Sequence, residues 1–245
     1  SMTHHNVCIP PKYFTKGIPG MVELLKDPAM RQQIKMEMMD PDTHFENQYI
    51  NCGGFDGVFV SRCAETPEYE GMTIGEAARK HDMDPFDLFF DLLIRNKGVA
   101  SAIYFCMGEE DVFNIIQCDS VVPGTDGIVK SESERAHPRA YGTMPRAIRW
   151  FVKENHLMPL EAMIHKMTGQ AAQLCMIEGK GVIADGMDAD LVLFNYDTIC
   201  DTADFMESSR LAEGIEYVIV GGEVVYHDKQ LTGATPGRVI LHGKR

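Results

Sequence analysis

The sequence lacks the local patterns that by themselves mark a metal site or a disulfide framework. Its seven cysteines are scattered, odd in number and never spaced as CxxC, and none of its nine histidines forms an HxH or HExxH pattern. Structural disulfides and a cysteine zinc site are therefore both disfavoured. We expect reduced thiols, as in a cytoplasmic protein.

A long apolar run and an excess of basic residues are missing as well. No stretch approaches the roughly 20 apolar residues that a membrane-spanning helix needs, and the start of the sequence shows no signal-peptide pattern. The chain has 23 Lys and Arg against 36 Asp and Glu, which gives a formal net charge of −13. This balance disfavours nucleic acid and anionic membranes as partners.

The middle of the chain alternates predicted strands with predicted helices. Helices are predicted to begin at Thr73, which opens a capping box, at Asp84, which precedes a proline, and later at Thr143 and Pro159. Apolar runs predict strands at residues 58–60, 100–105 and 120–123. Such alternation with short connections is typical of a parallel α/β sheet or barrel.

The pattern changes after about residue 179. Strands are predicted at residues 190–194, 215–220 and 223–226. The last two are joined by Gly221-Gly222, and glycine accepts the positive φ angles of a two-residue hairpin turn. We therefore predict a small antiparallel β unit at this end of the sequence.

Asp126 is the first candidate for chemistry. It follows the predicted strand 120–123 and lies between Gly124 and Gly127. Catalytic groups of (β/α)8 barrels lie at the C-terminal ends of strands, and glycine lets backbone and ligand approach closely. The same sequence is also typical of a plain turn, so both interpretations stay open on the residues alone.

A polar segment that begins at His137 is the second candidate. Arg139 carries a planar guanidinium that can hold a carboxylate through two hydrogen bonds. His137 has the chemistry of a metal ligand, a proton carrier or a donor that fixes a loop. A loop that is held together by its own side chains explains the same composition, and the residues alone leave these alternatives open.

Several motifs occur in an order and spacing that resemble a known family. They are Ala102-Ile103-Tyr104-Phe105, Glu109-Glu110-Asp111-Val112, Gly124-Thr125-Asp126-Gly127, His137-Pro138-Arg139, Tyr141-Gly142-Thr143, Lys166-Met167-Thr168-Gly169 and Gly186-Met187-Asp188-Ala189-Asp190. Together they resemble the N-acyl-D-amino-acid deacylases (D-aminoacylases) of the amidohydrolase superfamily. The resemblance covers residues 58 to 240, approximately.

The resemblance implies an α/β fold. This chain would contribute the C-terminal part of a (β/α)8 metal-dependent hydrolase barrel and strands of a small β-sandwich. Residues 1–56 would then be a helical insertion or barrel-loop segment, residues 57–178 the later strands and helices of the barrel, and residues 179–245 the sandwich strands.

The resemblance also implies an activity and a site. It implies zinc in the mouth of the barrel and hydrolysis of the amide bond of a small N-acyl amino acid. Asp126 would act as general base and acid, with metal ligation as an open second role. Arg139 would bind the α-carboxylate of the substrate, and His137 and Ser1 would contact the substrate.

One departure from the family limits these expectations. The family takes most of its metal ligands from earlier strands, beginning with an HxH pair, and this sequence has no counterpart of them. We therefore expect a C-terminal half that is inactive by itself and whose partner is the missing N-terminal half. A cyclic-amide hydrolase related to hydantoinases and dihydroorotases, and a non-catalytic fragment, remain the alternatives. The sequence leaves open the acyl group of the substrate, the preference for D- or L-amino acids and the oligomeric state of the protein.

Overall fold

The computed structural model describes residues 2–128 and 137–240, so Ser1 lies outside the described residues. The chain divides into two compact units, Ser1–Gly108 and Glu109–Arg245. The three-part division at residues 56/57 and 178/179 stays a prediction. Within the described residues, no helix combines the length and the apolar character that a bilayer crossing requires.

The first unit mixes short strands with helices. Its strands are β1 (Met2–His4), β2 (Val58–Arg62) and β3 (Ser101–Tyr104). Its α-helices are α1 (Gly17–Leu24), α2 (Pro28–Met39), α3 (Gln48–Asn51), α4 (Ile74–His81) and α5 (Pro85–Arg95). Short 3-10 helices span His5–Cys8, Pro11–Phe14, Phe55–Gly57 and Pro67–Tyr69.

Local side-chain caps explain where α4 and α5 begin. The Thr73 hydroxyl accepts a hydrogen bond from the Glu76 backbone N–H at 3.1 Å, and the Glu76 carboxylate accepts one from the Thr73 N–H at 2.8 Å. Asp84 accepts from the N–H groups of the first turn of α5, and Pro85 holds the first helical position. Both predicted helix starts are confirmed, because such caps depend only on neighbouring residues.

The sheet of the first unit is antiparallel, with the order β1-β3-β2. The predicted parallel sheet is wrong for these strands. A single crossover helix would return the chain to the starting end of β2. Here two helices, α4 and α5, are joined by the short connection 82–84, and such a helical hairpin returns the chain to the opposite end. The described strands form no closed barrel.

Aromatic side chains make up much of the first unit's core. Phe86, Phe89 and Phe90 are buried on one face of α5. The Phe55 ring lies 4.8 Å from the Phe86 ring and 5.1 Å from the Phe89 ring, centroid to centroid. Contacts of this kind contribute roughly 0.5–1.5 kcal/mol beyond the burial of apolar area.

The second unit begins with helices and ends with a sheet. Its α-helices are α6 (Glu109–Gln117), α7 (Arg139–Arg146), α8 (Leu160–Met167) and α9 (Gly169–Leu174), and α7 continues as a π-helix over Ala147–Glu154. Its strands are β4 (Leu191–Phe194), β5 (Ile215–Val220), β6 (Glu223–His227) and β7 (Gln230–Leu231), paired antiparallel in that order.

The predicted strands 190–194, 215–220 and 223–226 are confirmed as β4, β5 and β6 of an antiparallel sheet, whereas two other predictions in this unit are wrong. Gly221 and Gly222 have φ angles of 58° and 85° between β5 and β6, so the predicted hairpin is present. Helix α8 follows Pro159 as predicted. Residues 120–123 form no strand. Thr143 does not cap a helix but lies inside α7, where its hydroxyl donates to the Arg139 carbonyl at 2.7 Å.

His5 is a fully buried histidine in the first unit. Its Nδ1 lies 3.1 Å from the Ala100 carbonyl oxygen, which can only accept, so we assign the proton to Nδ1. The other nitrogen, Nε2, is buried and has no hydrogen-bond partner among the described residues. Burial lowers the pKa of His5 from 6.5 to about 4, because the charged imidazolium would be desolvated.

We predict that this histidine makes the first unit sensitive to acid. The unfolded chain takes up a proton near pH 6.5 whereas the folded one resists until about pH 4, so stability is full above pH 6.5 and falls as the pH drops towards 4. The loss approaches about 3 kcal/mol. The variant His5→Asn keeps a donor for the Ala100 carbonyl without a titrating ring. Urea unfolding followed by circular dichroism should show a shallower acid loss for it, and an equally steep loss would contradict the assignment.

Candidate functional site

Asp126 lies in an irregular segment that precedes α7. Its φ angle of 43° is in the left-handed region, which aspartate adopts more readily than most residues other than glycine. Gly127 packs on the first turn of α7, where an added Cβ would lie 2.7 Å from the Ala140 Cα. The glycine after Asp126 is therefore required by close packing.

Arg139 reaches back from α7 to Asp126. Its Nη2 lies 2.6 Å from the Asp126 Oδ2, and its Nε donates to the Asp126 backbone carbonyl at 2.9 Å. The Asp126 side chain is 88% exposed, whereas that of Arg139 is 24% exposed. The structure thus brings together the two residues for which the family resemblance implies acid/base chemistry and carboxylate binding.

Packing and ion pairs anchor α7. An added Cβ on Gly142 would lie 2.9 Å from the Asp201 Cβ, so this helix approaches residue 201 closely. The Asp201 side chain is only 7% exposed, and it accepts from the Arg149 Nε at 2.7 Å and lies 3.6 Å from the Arg146 Nη1. Asp201 was not among the predicted site residues, because its partners lie about 50 residues away along the chain.

His137 fixes the start of α7. Its Nδ1 accepts a hydrogen bond from the Arg139 backbone N–H at 3.1 Å, and its ring meets the Phe205 ring edge-on at 5.4 Å. Burial, and then the nearby charge of Arg139, lower the pKa of His137 to about 4. The ring is therefore neutral at pH 7, with its proton on Nε2, and in the loop it acts as an acceptor and not as the predicted donor. Metal ligation and proton transfer by His137 stay predictions. Contact with a substrate stays a prediction.

Lys166 holds the backbone that leads to Asp126. This lysine of α8 is 7% exposed, and its Nζ donates to the Cys118 carbonyl at 2.7 Å and to the Val121 carbonyl at 2.8 Å. Gln170 of α9 donates to the Asp119 carbonyl beside them. Within residues 120–123, the Val121 carbonyl bonds to Lys166 and not to another strand, and Pro123 has no N–H to donate to one. Lys166 occurred in the resemblance motifs but was not assigned a role.

The described residues do not by themselves fit a zinc ion. Asp126 offers one carboxylate, whereas structural and catalytic zinc sites take three or four protein ligands. Across residues 2–128 and 137–240, no group of three or more His, Cys, Asp and Glu side chains could hold a metal. Any zinc would need further ligands from outside the described residues.

We predict that replacing the Lys166 amine loosens the Asp126 segment. Lys166→Met keeps the apolar stem and leaves the Cys118 and Val121 carbonyls without their donor, at a cost of about 0.5–1.5 kcal/mol for each lost hydrogen bond. Hydrogen exchange of the amides between residues 119 and 127 should accelerate roughly tenfold or more. Lys153→Met is the matched control, because Lys153 also donates to two carbonyls, those of Tyr196 and Asp197. Equal exchange in both variants would refute the role of Lys166.

Comparison with known proteins identifies relatives of this chain. The amidohydrolase family model matches residues 117–226. A D-aminoacylase from Alcaligenes xylosoxydans xylosoxydans is 35% identical over 181 residues, 74% of this chain and 36% of its own length.

Solved structures agree with that match. A D-aminoacylase studied for its binuclear metal centre is 33% identical, with a TM-score of 0.65 over 76% of this chain and 37% of that chain. An N-acyl-D-glutamate deacylase from Bordetella bronchiseptica, in complex with zinc and a phosphonate that mimics the tetrahedral intermediate, is 29% identical, with a TM-score of 0.63 over 74% of this chain and 37% of that chain.

The chain spans about a third of the length of the curated relatives it matches, from 34% to 36%. Over its own length the match is broad, and it includes both Asp126 and Arg139. The resemblance predicted from the motifs is confirmed: residues 117–226 carry an amidohydrolase domain, and the chain belongs with the D-aminoacylases and N-acyl-D-amino-acid deacylases of that family.

Proposed function

We propose that this chain supplies the acid/base carboxylate and the substrate-binding guanidinium of a zinc-dependent hydrolase of N-acyl-D-amino acids. The observation that carries the proposal is the 2.6 Å contact between Asp126 and Arg139. In an N-acyl amino acid, the scissile amide nitrogen is bonded to the carbon that bears the α-carboxylate. A guanidinium that binds this carboxylate next to Asp126 therefore brings the scissile bond close to the Asp126 carboxylate.

Asp126 acts as the proton carrier of this reaction. Its exposed carboxylate accepts a proton from the water that attacks the acyl carbon, and it then donates that proton to the leaving amine. Positioned acid/base groups of this kind typically accelerate a reaction by 10²–10⁴-fold. The left-handed backbone at Asp126 supports the role, because such conformations cluster at active sites.

Arg139 orients the substrate. Its guanidinium carries five N–H donors, so the two contacts with Asp126 do not exhaust its capacity for a second carboxylate. A neutral His137 presents its Nε2 proton in the same segment, and we include it, together with Ser1, among the substrate contacts. A hydantoin ring carries no free carboxylate and would leave Arg139 without its partner. The arginine therefore favours an N-acyl amino acid over a hydantoin.

The complete active site, on this proposal, includes residues outside the chain. The described residues supply too few ligands for zinc, and the matched part of the chain covers only 36% of the length of the D-aminoacylase relative. We propose that an N-terminal half supplies the remaining ligands, the early strands of a (β/α)8 barrel and the rest of a β-sandwich. The exposed apolar side chains of the C-terminal sheet, among them Val192, Leu193 and Leu231, support this proposal. The compartment we propose is the cytoplasm.

We predict that Asp126→Asn abolishes turnover. The variant is assayed in the chain joined to, or mixed with, its N-terminal half, with N-acetyl-D-amino acids and hydantoins as parallel substrates. A fall of at least 10²-fold in kcat, with zinc content and substrate binding retained, is expected because the amide cannot carry the proton. Asp228→Asn is the control, since Asp228 is also exposed and left-handed. Near-normal turnover of the Asp126 variant, or faster cleavage of hydantoins by the parent, would contradict the proposal.

We predict that Arg139→Lys raises KM for N-acetyl-D-amino acids by about 10- to 100-fold. Lysine keeps the charge but lacks the planar fork, and a hydrogen bond to a charged group contributes about 1.5–3 kcal/mol. The same substrates with the α-carboxylate converted to an amide should show little difference between parent and variant. An equal effect on acids and amides would mean that Arg139 does not bind the carboxylate. Arg238→Lys, which alters an arginine paired with Asp188, serves as the control.

A further inference from the structure

Two cysteines that are distant in sequence lie at the same end of the first unit's sheet. The pairing of β2 with β3 places Val58 opposite Tyr104, and one step further the Phe105 N–H donates to the Gly57 carbonyl at 2.9 Å. Cys106 follows directly. On the other side, a Cβ added to Gly57 would lie 2.7 Å from the Cys52 Cβ. Gly57 is thus the point on which both cysteine-bearing segments converge.

The environment of these two thiols differs from that of the other cysteines. Both are half-buried and pack against the first unit's core, and both are free. Burial, and then the neighbouring Cys106 thiol, raise the pKa of Cys52 to about 11. A third thiol, Cys8, is fully buried and donates to the Tyr104 hydroxyl at 3.6 Å. Its burial makes it inert towards oxidants in solution.

We propose that Cys52 and Cys106 form a reversible redox-modification site that closes a disulfide when a peroxide is present. The Cys106 sulfur takes one oxygen from hydrogen peroxide and becomes a sulfenic acid, with release of water. The Cys52 sulfur then attacks it, the S–O bond breaks and a second water leaves. Two thiols thereby lose two electrons and two protons, and one peroxide is reduced to two waters. A dithiol reverses the reaction by exchange.

The order of the two steps follows from the protonation of Cys52. A thiol is a poor nucleophile until it is ionised, so Cys52 does not react first with peroxide in neutral solution. Because both segments converge on Gly57, Cys52 is held beside Cys106, and this proximity lets its small thiolate fraction attack the sulfenic acid that forms there. Oxidation should therefore stop at the disulfide and should not proceed to sulfinic acid at Cys106.

Peptide mapping tests the proposal on the full chain. The reduced chain is treated with hydrogen peroxide, its remaining thiols are alkylated, and it is cut with trypsin and a glutamate-specific protease. Cleavage after Arg62, Lys97 and Glu109 separates Cys52, Cys106 and Cys118 into different peptides. The expected product is a cross-linked pair containing Cys52 and Cys106, with a mass loss of about 2 Da, that dithiothreitol converts back to separate peptides.

Variants show whether the pair is specific. Cys52→Ser and Cys106→Ser should each abolish the cross-link. In Cys52→Ser, the sulfenic acid at Cys106 has no thiol to react with and should be oxidised further to sulfinic acid. Cys175→Ser, which alters an exposed thiol of the second unit, should leave the cross-link unchanged. The proposal is overturned if the parent chain, with its circular dichroism unchanged, shows independent oxidation of the two thiols or links spread among other cysteines. Parent-chain mapping decides this even if a variant fails to fold, and it requires no hydrolase activity.

Discussion

The buried amine of Lys166 holds the backbone from which Asp126 projects. The segment between α6 and Asp126 has no strand partner among the described residues, and each hydrogen bond that its carbonyls lose would cost about 0.5–1.5 kcal/mol. Lys166 satisfies two of these carbonyls. Because its helix α8 also buries Met163 in the core with Ile116 and Phe151, the position of Asp126 depends on the packing of the whole unit.

The sequence predicted those elements whose causes are local. The cap at Thr73, the proline at Pro85 and the glycine pair at Gly221-Gly222 each act through residues within a few positions, so they can be read from a short window. The predictions of a strand at residues 120–123 and of a parallel sheet were wrong for a different reason. Whether an apolar run becomes a strand depends on a distant partner, and strand direction depends on how many helices intervene, which a pattern of alternation does not fix.

The start of α7 shows the same limit at a smaller scale. Thr143 has the side chain of an N-cap residue, yet in this helix its hydroxyl bonds to the carbonyl four residues earlier, an alternative that such side chains always have. The helix begins instead at Arg139, where His137 accepts the backbone N–H. As a result, the Arg139 side chain projects from the first turn of α7, and its guanidinium contacts Asp126. The motifs predicted both residues of this pair, but the structure was needed to show their contact and the lysine behind it.

The Asp126–Arg139 pair also restricts which ligands suit the site. Without a ligand, the carboxylate balances the charge of a guanidinium that is only 24% exposed, so neither charge is left uncompensated. A substrate with its own carboxylate can share the guanidinium and leave the Asp126 oxygens available for a proton. An uncharged substrate has no carboxylate for the guanidinium to bind. Arg139 then remains paired with Asp126 and competes with the substrate for the Asp126 carboxylate. On the proposed function, selection for an anionic N-acyl amino acid would thus follow from the position of one arginine, before any contact with the acyl group is made.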